Sequence, residues 1–509
     1  MTNDSNKKHF KNIGIVGQAN WRFFVPDLVR NLIRKYDANV HLYAASELHA
    51  EFYRNSDSEG LFSSVQVIRS EIPPSLPIIE DSADVIDCAT AIEKKYNRTI
   101  ASLTVTNRHL GRGYALGGFH HPRSFLSEDS THVQAVKITI DLIEFWENEF
   151  INKNISMMIN LRSDIGVTVA NYYNVPVRNI YESRYKSFNN WAVDGMLTNP
   201  LIKKAFDDVE PSSIELLPQG VAAPPTGHAV ARNKLMHQFS LPGMVKSSLK
   251  MAKEQLYNAY KGNRSGSYYL TSKFAMNYRI RQDAKRLTNG SYPWLKDLGD
   301  QPFIFFPLHV EPEASLQGQS PEYLSQLNAI VSLSRSLPAK YLLVVKEHLG
   351  GVGRRPRDFY GQIMDLKNVV LMDLRELGKD VVQKSALVAT ISGTAGLEAA
   401  VAGKPVITFG RHNSYNILPH VRVISNESQI KTAFDELLSE AYDQKTATIN
   451  GARYLKAVEN ASFNLENYNH FTGRGYEEKE VLECLDKLEK SLSEIDSAMI
   501  ENALAGYPN

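Results

Sequence analysis

The chain has 509 residues, a formal charge of +1 and an ordinary globular composition, 43% hydrophobic and 22% charged. That length exceeds what one hydrophobic core serves and predicts two to four domains, while the near-zero charge gives no global field pointing to nucleic acid. Two distant cysteines, Cys88 and Cys484, show no metal-ligand spacing, which excludes a disulfide framework and predicts no metal centre. The polar MTNDSNKKHFKN start and the lack of about 18 consecutive apolar residues predict a cytoplasmic protein rather than a secreted or membrane-spanning one.

From the start of the chain, NIGIVG at 12–17 reads as a buried strand ending in glycine, 24–35 as the helix after it, and NVHLYAA at 39–45 as the next strand. The alternation continues through ISMMINL at 155–161, a helical DIGVTVANYY and VPVRNIY at 175–181. This rhythm predicts a doubly wound domain of parallel strands over about 1–225. Between Arg232 and Arg286 the texture changes: twelve Lys/Arg face two acids, Glu254 and Asp283, with tyrosines interleaved. Residues 226–297 are therefore expected to form a basic helical insert. It would either lie on an anionic membrane surface at the inner face of the cytoplasmic membrane or remain a solvated insert, since it has no long apolar face.

Strand–helix alternation resumes at about 298–455. FIFFPL (303–308), YLLVVKE (341–347), NVVLM (368–372), ALVATIS (386–392) and PVITFG (405–410) are separated by helical segments at about 320–336, 356–365, 377–384 and 394–402. Buried runs joined by crossovers predict a second parallel sheet with helices on both faces. The tail, 456–509, carries Val481, Leu485, Leu488, Leu492, Ile495 and Met499 at helical spacing. That stripe is short for a coiled coil and is expected to pack on the chain's own domains.

Chemistry concentrates where the second set of strands ends. Ser392, Gly393, Thr394, Ala395 and Gly396 form a Gly-rich strand-to-helix turn, whose N–H groups and helix dipole suit a phosphate. The two glycines would let the backbone approach that phosphate, and the two hydroxyls would donate to it. Glu398, expected in the first helical turn or so, would cap the helix or accept sugar hydroxyls. Lys346 and His348 end an earlier strand, where they would neutralise a nucleotide phosphate, and His348 could protonate its leaving oxygen. Gly350, Gly351 and Gly353 then read as a mobile loop running into Arg354 and Arg355. PLHVEPEAS contributes His309 and Glu313 from a third strand end. Each group has a plain structural alternative: a helix cap, a packed histidine, a solvated carboxylate.

Taken in order, PLHVEPEAS, the KEH strand end, SGTAGLEA and GKPVITFG resemble the bacterial capsule polysaccharide biosynthesis proteins, including the Kdo transferases of capsule export systems. The resemblance covers about 300–415. It implies a GT-B fold, two Rossmann-like domains facing a cleft. It further implies a CMP-sugar donor held by a His-Pro pair and a Ser-rich turn, with no bound cofactor or metal. His348 and 392–396 match those positions, and Leu349 stands where the proline would be.

The first domain would then hold a glycan or lipid-linked acceptor. Asp164 and Glu182 each follow a strand and are candidates for the base or nucleophile, although Asp164 also reads as the N-cap of the next helix. Arg184 stands beside Glu182, residues 14–18 may line an acceptor cleft, and His109 and His120 lie in a Gly-rich loop at 107–123. A glycosyltransferase of surface polysaccharide is thus the expected activity. A non-hydrolysing nucleotide-sugar epimerase and a non-catalytic export or scaffold protein are the alternatives on the same architecture.

Overall fold

A computed structural model describes residues 7–68, 73, 75–107, 110–111, 130–196, 198–214, 236, 240–260, 270–311, 313–318, 320–356, 358–469 and 472–504. The chain forms two compact units, one within 1–208 joined by 456–504, the other within 209–455. Each unit is built on its own sheet.

In the first unit β1 (Asn12–Gly17), β2 (Asn39–Ala44), β3 (Ser64–Val67), β4 (Met157–Ile159), β5 (Val177–Glu182) and β6 (Phe188–Ala192) are joined by a two-residue strand at Phe463–Asn464. The order across the sheet is Phe463–Asn464, β6, β5, β4, β1, β2, β3. Pairing is parallel from β5 to β3, but β6 pairs antiparallel with both β5 and Phe463–Asn464, where the sequence suggested parallel strands only. The reason is local: β5 and β6 are joined by a short turn in which Arg184 and Lys186 adopt positive φ, too short for a crossover helix.

Helix α1 (Phe24–Tyr36) buries Phe24, Val25, Leu28, Val29 and Leu32 on one face and stops at Asp37, whose left-handed φ of 53° lets its N–H reach the Ile33 carbonyl. Helices α2 (Glu47–Ser56), α3 (His132–Asn152) and α4 (Asp164–Tyr172) complete the part of the unit that matters for the site.

The tail belongs to this first unit. Its stripe is interrupted, because the helix Glu478–Glu494 ends before Ile495 and a separate helix, Ser497–Leu504, follows. Val481, Cys484, Leu485 and Leu488 enter the core with Trp21, Phe24 and Trp191. Trp191 donates its indole N–H to the Cys484 carbonyl at 2.9 Å. Arg178, on β5 and buried, donates to the Ser491 hydroxyl at 2.9 Å and carbonyl at 2.8 Å. A cation at the last turn of a helix meets its negative end; burial alone pulls this guanidinium down to about 10.

The second unit opens with the helices α5 (Leu241–Tyr260) and α6 (Leu270–Arg286), followed by β7 (Phe303–Pro307), α7 (Gln326–Ser336), β8 (Leu342–Lys346), β9 (Val369–Leu371), β10 (Leu387–Thr390), α8 (Thr394–Val401), β11 (Val406–Thr408) and β12 (Val421–Val423). The sheet order is β12, β11, β10, β7, β8, β9, parallel throughout. Strands buried on both faces, such as FIFFP and LVAT, are what such a covered sheet requires. The chain lays β8 and β9 to one side of β7, then crosses to place β10 on the other. That reversal between β7 and β10 is the switch point at which ligands of open α/β sheets bind.

Among the described residues no helix is long and apolar enough to cross a membrane.

Candidate functional site

The turn after β10 sits at this switch point, and its backbone is shaped from within. The Ser392 N–H donates to His309 Nε2 at 3.0 Å, and the Gly393 N–H to Thr390 Oγ1 at 3.2 Å. A Cβ on Gly393 would lie 3.0 Å from Thr390 Oγ1 and 3.1 Å from His309 Nε2; one on Gly396 would lie 2.5 Å from the Tyr415 hydroxyl. The glycines thus admit neighbouring side chains of the protein itself. Ser392 is buried at 1% exposure, so its hydroxyl faces inward. Thr394 is exposed.

Helix α8 begins at Thr394 with Gly393 as its N-cap and no side-chain capping bond. An α-helix leaves its first N–H groups without intrahelical partners, and their dipoles point outward. Thr394 and Ala395 therefore present backbone donors at the edge of the sheet. Glu398 is the fifth residue of α8, in its second turn and half-buried, too far along to cap the helix as the sequence suggested.

His309 is buried and serves as a strut. Its Nε2 accepts from Ser392, so in the neutral ring the proton resides on Nδ1. Its backbone N–H donates to Gln326 Oε1 at 2.7 Å, and its carbonyl accepts from Gln326 Nε2 at 3.1 Å and from Arg355 at 2.6 Å. It fixes the turn.

A second strut was not legible in the sequence. Glu347, 1% exposed, receives two hydrogen bonds of 2.7 Å from Arg355, one of 2.8 Å from the Tyr360 hydroxyl and one of 2.6 Å from the His348 N–H. Arg355 also lies 3.2 Å from Glu311. Burial disfavours the Arg355 charge, but the charge and hydrogen bonds of Glu347 outweigh it and hold the guanidinium's pKa above its ordinary value. Burial pushes the Tyr360 hydroxyl well up. One cation thus clamps the loops after β7 and β8 together. The Gly350–Gly353 stretch, expected to be a mobile loop, is closely packed: a Cβ on Gly351 would lie 2.5 Å from Glu347, and one on Gly353, at φ +78°, would lie 2.5 Å from Ile280 of α6.

Of the other candidates in this unit, Lys346 is buried with its Nζ donating to the Glu347 carbonyl at 3.1 Å, and Glu313 is exposed. His348 stands at the rim. Its Nδ1 accepts from the Gly350 N–H at 3.1 Å, leaving Nε2–H as a donor in the neutral ring. Although part of its surface meets solvent, crowding by protein is the largest influence and lowers its pKa. At neutral pH it is therefore a neutral hydrogen-bond donor more than a reservoir of protons.

In the first unit Asp164 is the first residue of α4, and the cap is Ser163, whose hydroxyl accepts from the Gly166 N–H. The expected capping role thus falls one residue earlier. The Asp164 carboxylate is engaged by Arg98 at 3.0 and 2.8 Å. Glu182 ends β5 with its side chain exposed. Gly14 lies inside β1, where a Cβ would strike the Met158 sulfur at 2.2 Å, a packing role and not a cleft position. Gly17 and Gln18 follow at the carboxyl end of that strand. Arg108, His109 and the 112–129 stretch, with His120, lie outside the described residues. Among the described residues no group of three or more His, Cys, Asp or Glu side chains could hold a metal ion.

No family model and no curated protein matches this chain. Among solved structures, the similar chains are nucleotide-sugar epimerases and glycosyltransferases. A glycosyltransferase from Rickettsia africae is 10% identical over 96% of this chain and 99% of its own, with a TM-score of 0.32. KpsC from Thermosulfurimonas dismutans, a β-Kdo 2,7 transferase, is 14% identical over 65% of this chain and 84% of its own, TM-score 0.28. UDP-GlcNAc 2-epimerase from Neisseria meningitidis bound to UDP-GlcNAc is 13% identical over 94% and 100%, TM-score 0.23. These scores are low, and the two-sheet α/β architecture stands on the strand orders given above.

Proposed function

We propose that the chain is a GT-B-type glycosyltransferase of surface polysaccharide assembly that takes a nucleotide-sugar donor at the carboxyl edge of the second sheet. The observation that carries this reading is the uncapped N-terminus of α8 at the switch point between β7 and β10, held by His309 on one side. The donor's phosphate would accept from the Thr394 and Ala395 N–H groups, the Thr394 hydroxyl and His348 Nε2. Such fixed donors stabilise a leaving nucleotide without reorganisation. The motif resemblance favours a CMP-sugar such as CMP-Kdo. The acceptor is assigned to the first unit, with Glu182 as the exposed carboxylate for its hydroxyl and Asp164 held by Arg98 as the alternative.

Calorimetry with CMP-, UDP- and GDP-sugars tests the donor site. Wild type should bind one class, and His348→Ala should lose about 1.5–3 kcal/mol of binding. No binding to any nucleotide sugar would return the chain to a non-catalytic scaffold. An altered sugar formed from donor alone, without acceptor, would make it an epimerase.

Membrane association is part of the proposal. Along α5, Leu241, Val245, Leu249 and Leu256 are exposed apolar residues at helical spacing, beside exposed Lys246, Lys250 and Lys253. That row supplies the apolar face the sequence alone did not display, and it suits an anionic lipid surface. Sedimentation with anionic and neutral vesicles measures it. Binding to anionic vesicles that Leu249→Glu removes supports the reading; equal, negligible binding to both overturns it.

A further inference from the structure

The first unit contains a cavity of about 270 Å³ at the carboxyl ends of its central strands, walled in part by Gln18, His49, Trp146, Asn160, Arg162 and Ser163. Several of its polar groups have no hydrogen-bond partner among the described residues. Asn160, at the end of β4, is 0% exposed and holds a left-handed φ of 61°. Its Oδ1 accepts from the Ile180 N–H at 3.0 Å, yet its Nδ2 is buried with no acceptor among the described residues. The same holds for Trp146 Nε1 and His49 Nδ1. Buried donors normally find acceptors, and backbone strain at a strand end tends to persist where a ligand makes use of it.

The charge is equally one-sided. Arg162 donates to the Ile180 carbonyl and has no carboxylate partner among the described residues. Elsewhere in this unit Arg30 and Arg98 each sit against an acid. Among the described residues the wall includes no aspartate or glutamate, while Val16, Ile68 and Leu142 give it an apolar flank. The volume lies just under the roughly 300–1,000 Å³ of ordinary small-ligand sites.

We infer that this cavity is a binding site for a small oxyanion, a carboxylate or phosphate carried on a body the size of one sugar ring. The anion would accept from Asn160 Nδ2 and pair with Arg162, and the ring would lie on the apolar flank. The inference deepens the acceptor side of the proposed function and rests on that reading only for the body being a sugar. Oxyanion binding itself needs no nucleotide.

The test is calorimetry on the full chain, without nucleotide, using glucuronate, glucose 1-phosphate and neutral glucose. At least one of the two anions should bind at least tenfold more tightly than glucose, and which one does separates a carboxylate from a phosphate ligand. Asn160→Asp keeps the acceptor for Ile180 but turns the unspent donor into a negative oxygen; Arg162→Gln removes the charge. Each should weaken anion binding at least tenfold. If Asn160→Asp fails to fold, Arg162→Gln decides alone. Equal affinity for all three sugars, no binding at all, or anion binding that survives Arg162→Gln overturns the inference, whatever the outcome with nucleotide sugars.

Discussion

The two sheets end in edges of opposite character. At the carboxyl edge of the second sheet the charged and polar side chains are consumed by one another: Arg355 by Glu347, Glu311 and the His309 carbonyl, His309 by Ser392 and Gln326. What that edge would offer a ligand is backbone at the start of α8, with the exposed Thr394 hydroxyl and His348 at its rim. At the edge of the first sheet Asn160, Trp146 and His49 hold buried nitrogens with no hydrogen-bond partner among the described residues, around a cavity that Arg162 also lines. A frame that has satisfied its side chains can hold main-chain donors still, which suits a phosphate shared by many donors. An edge with unspent side chains selects by chemistry. On the proposed reading one sheet would grip the donor and the other would discriminate among acceptors.

The sharpest way to break this contrast is Arg355→Met. It strands Glu347 in the core without its cation, and removing one partner of a buried pair costs roughly 3–5 kcal/mol. Denaturant unfolding should show that loss together with loss of nucleotide-sugar binding, while the oxyanion titration of the first unit still works on folded protein. An Arg355→Met variant of wild-type stability would show that the clamp is ornamental.

In the first unit the comparable fixture is Arg178. Arg178→Met should cost about 2 kcal/mol, because its charged hydrogen bonds to Ser491 anchor the last turn of the tail helix. Urea unfolding measures it; hydrogen exchange across 478–494 should rise at the same time. Unchanged exchange there would separate the arginine from the docking of the helix.

A subtler perturbation is Gly396→Ala, which drives a methyl against the Tyr415 hydroxyl and Thr390 Cγ2. Overpacking of this kind costs about 1–3 kcal/mol. Donor affinity should fall about tenfold, and Tyr415→Phe should recover part of it, because the two residues share one contact. If the double variant is no better than the single, the glycine serves the ligand directly.

The smallest effect is expected from pH, and it spans both units. Burial lowers the pKa of His9, His41, His49, His348 and His420 in the folded protein. The unfolded chain therefore binds more protons near pH 6.5, so stability rises with pH and this contribution is lost as pH falls below about 6.5. Melting temperature measured from pH 7.5 to 5.5 should decline on acidification, less steeply in His420→Gln. A melting temperature that climbs as pH falls would contradict it.

Much of the architecture was legible because buried parallel strands announce themselves. FIFFPL, YLLVVKE, ALVATIS and PVITFG are all strands within a few residues of their expected bounds. Missed were Ser64–Val67, whose four residues are only half-buried, Phe188–Ala192, whose two asparagines break up its apolar run, and Val421–Val423 and Phe463–Asn464, too short to show a period. The site was read unevenly. The SGTAGLE turn lies at the switch point, but the partition of roles within it depends on burial, which residue type alone does not give. Ser392 looked like a donor to phosphate and is inside; Arg355 looked like a loop charge and forms a buried pair with Glu347. Arg98 and Asn160 carried no local pattern, since what singles them out is a partner or a backbone angle fixed by distant parts of the chain.

The return of the tail to the first sheet has a consequence for the order of assembly. The first unit lacks its Phe463–Asn464 strand and the core residues Val481, Cys484, Leu485 and Leu488 until those positions have left the ribosome. Between its two parts lie the roughly 250 residues of the other unit. At about 5–20 residues per second that is a wait of roughly ten to fifty seconds, long enough for the intervening unit to fold first. The half translated earliest is thus completed last. Until then the side of β6 that receives Phe463–Asn464 is an open strand edge and Trp191 lacks its cover, the kind of surface that nascent-chain chaperones hold.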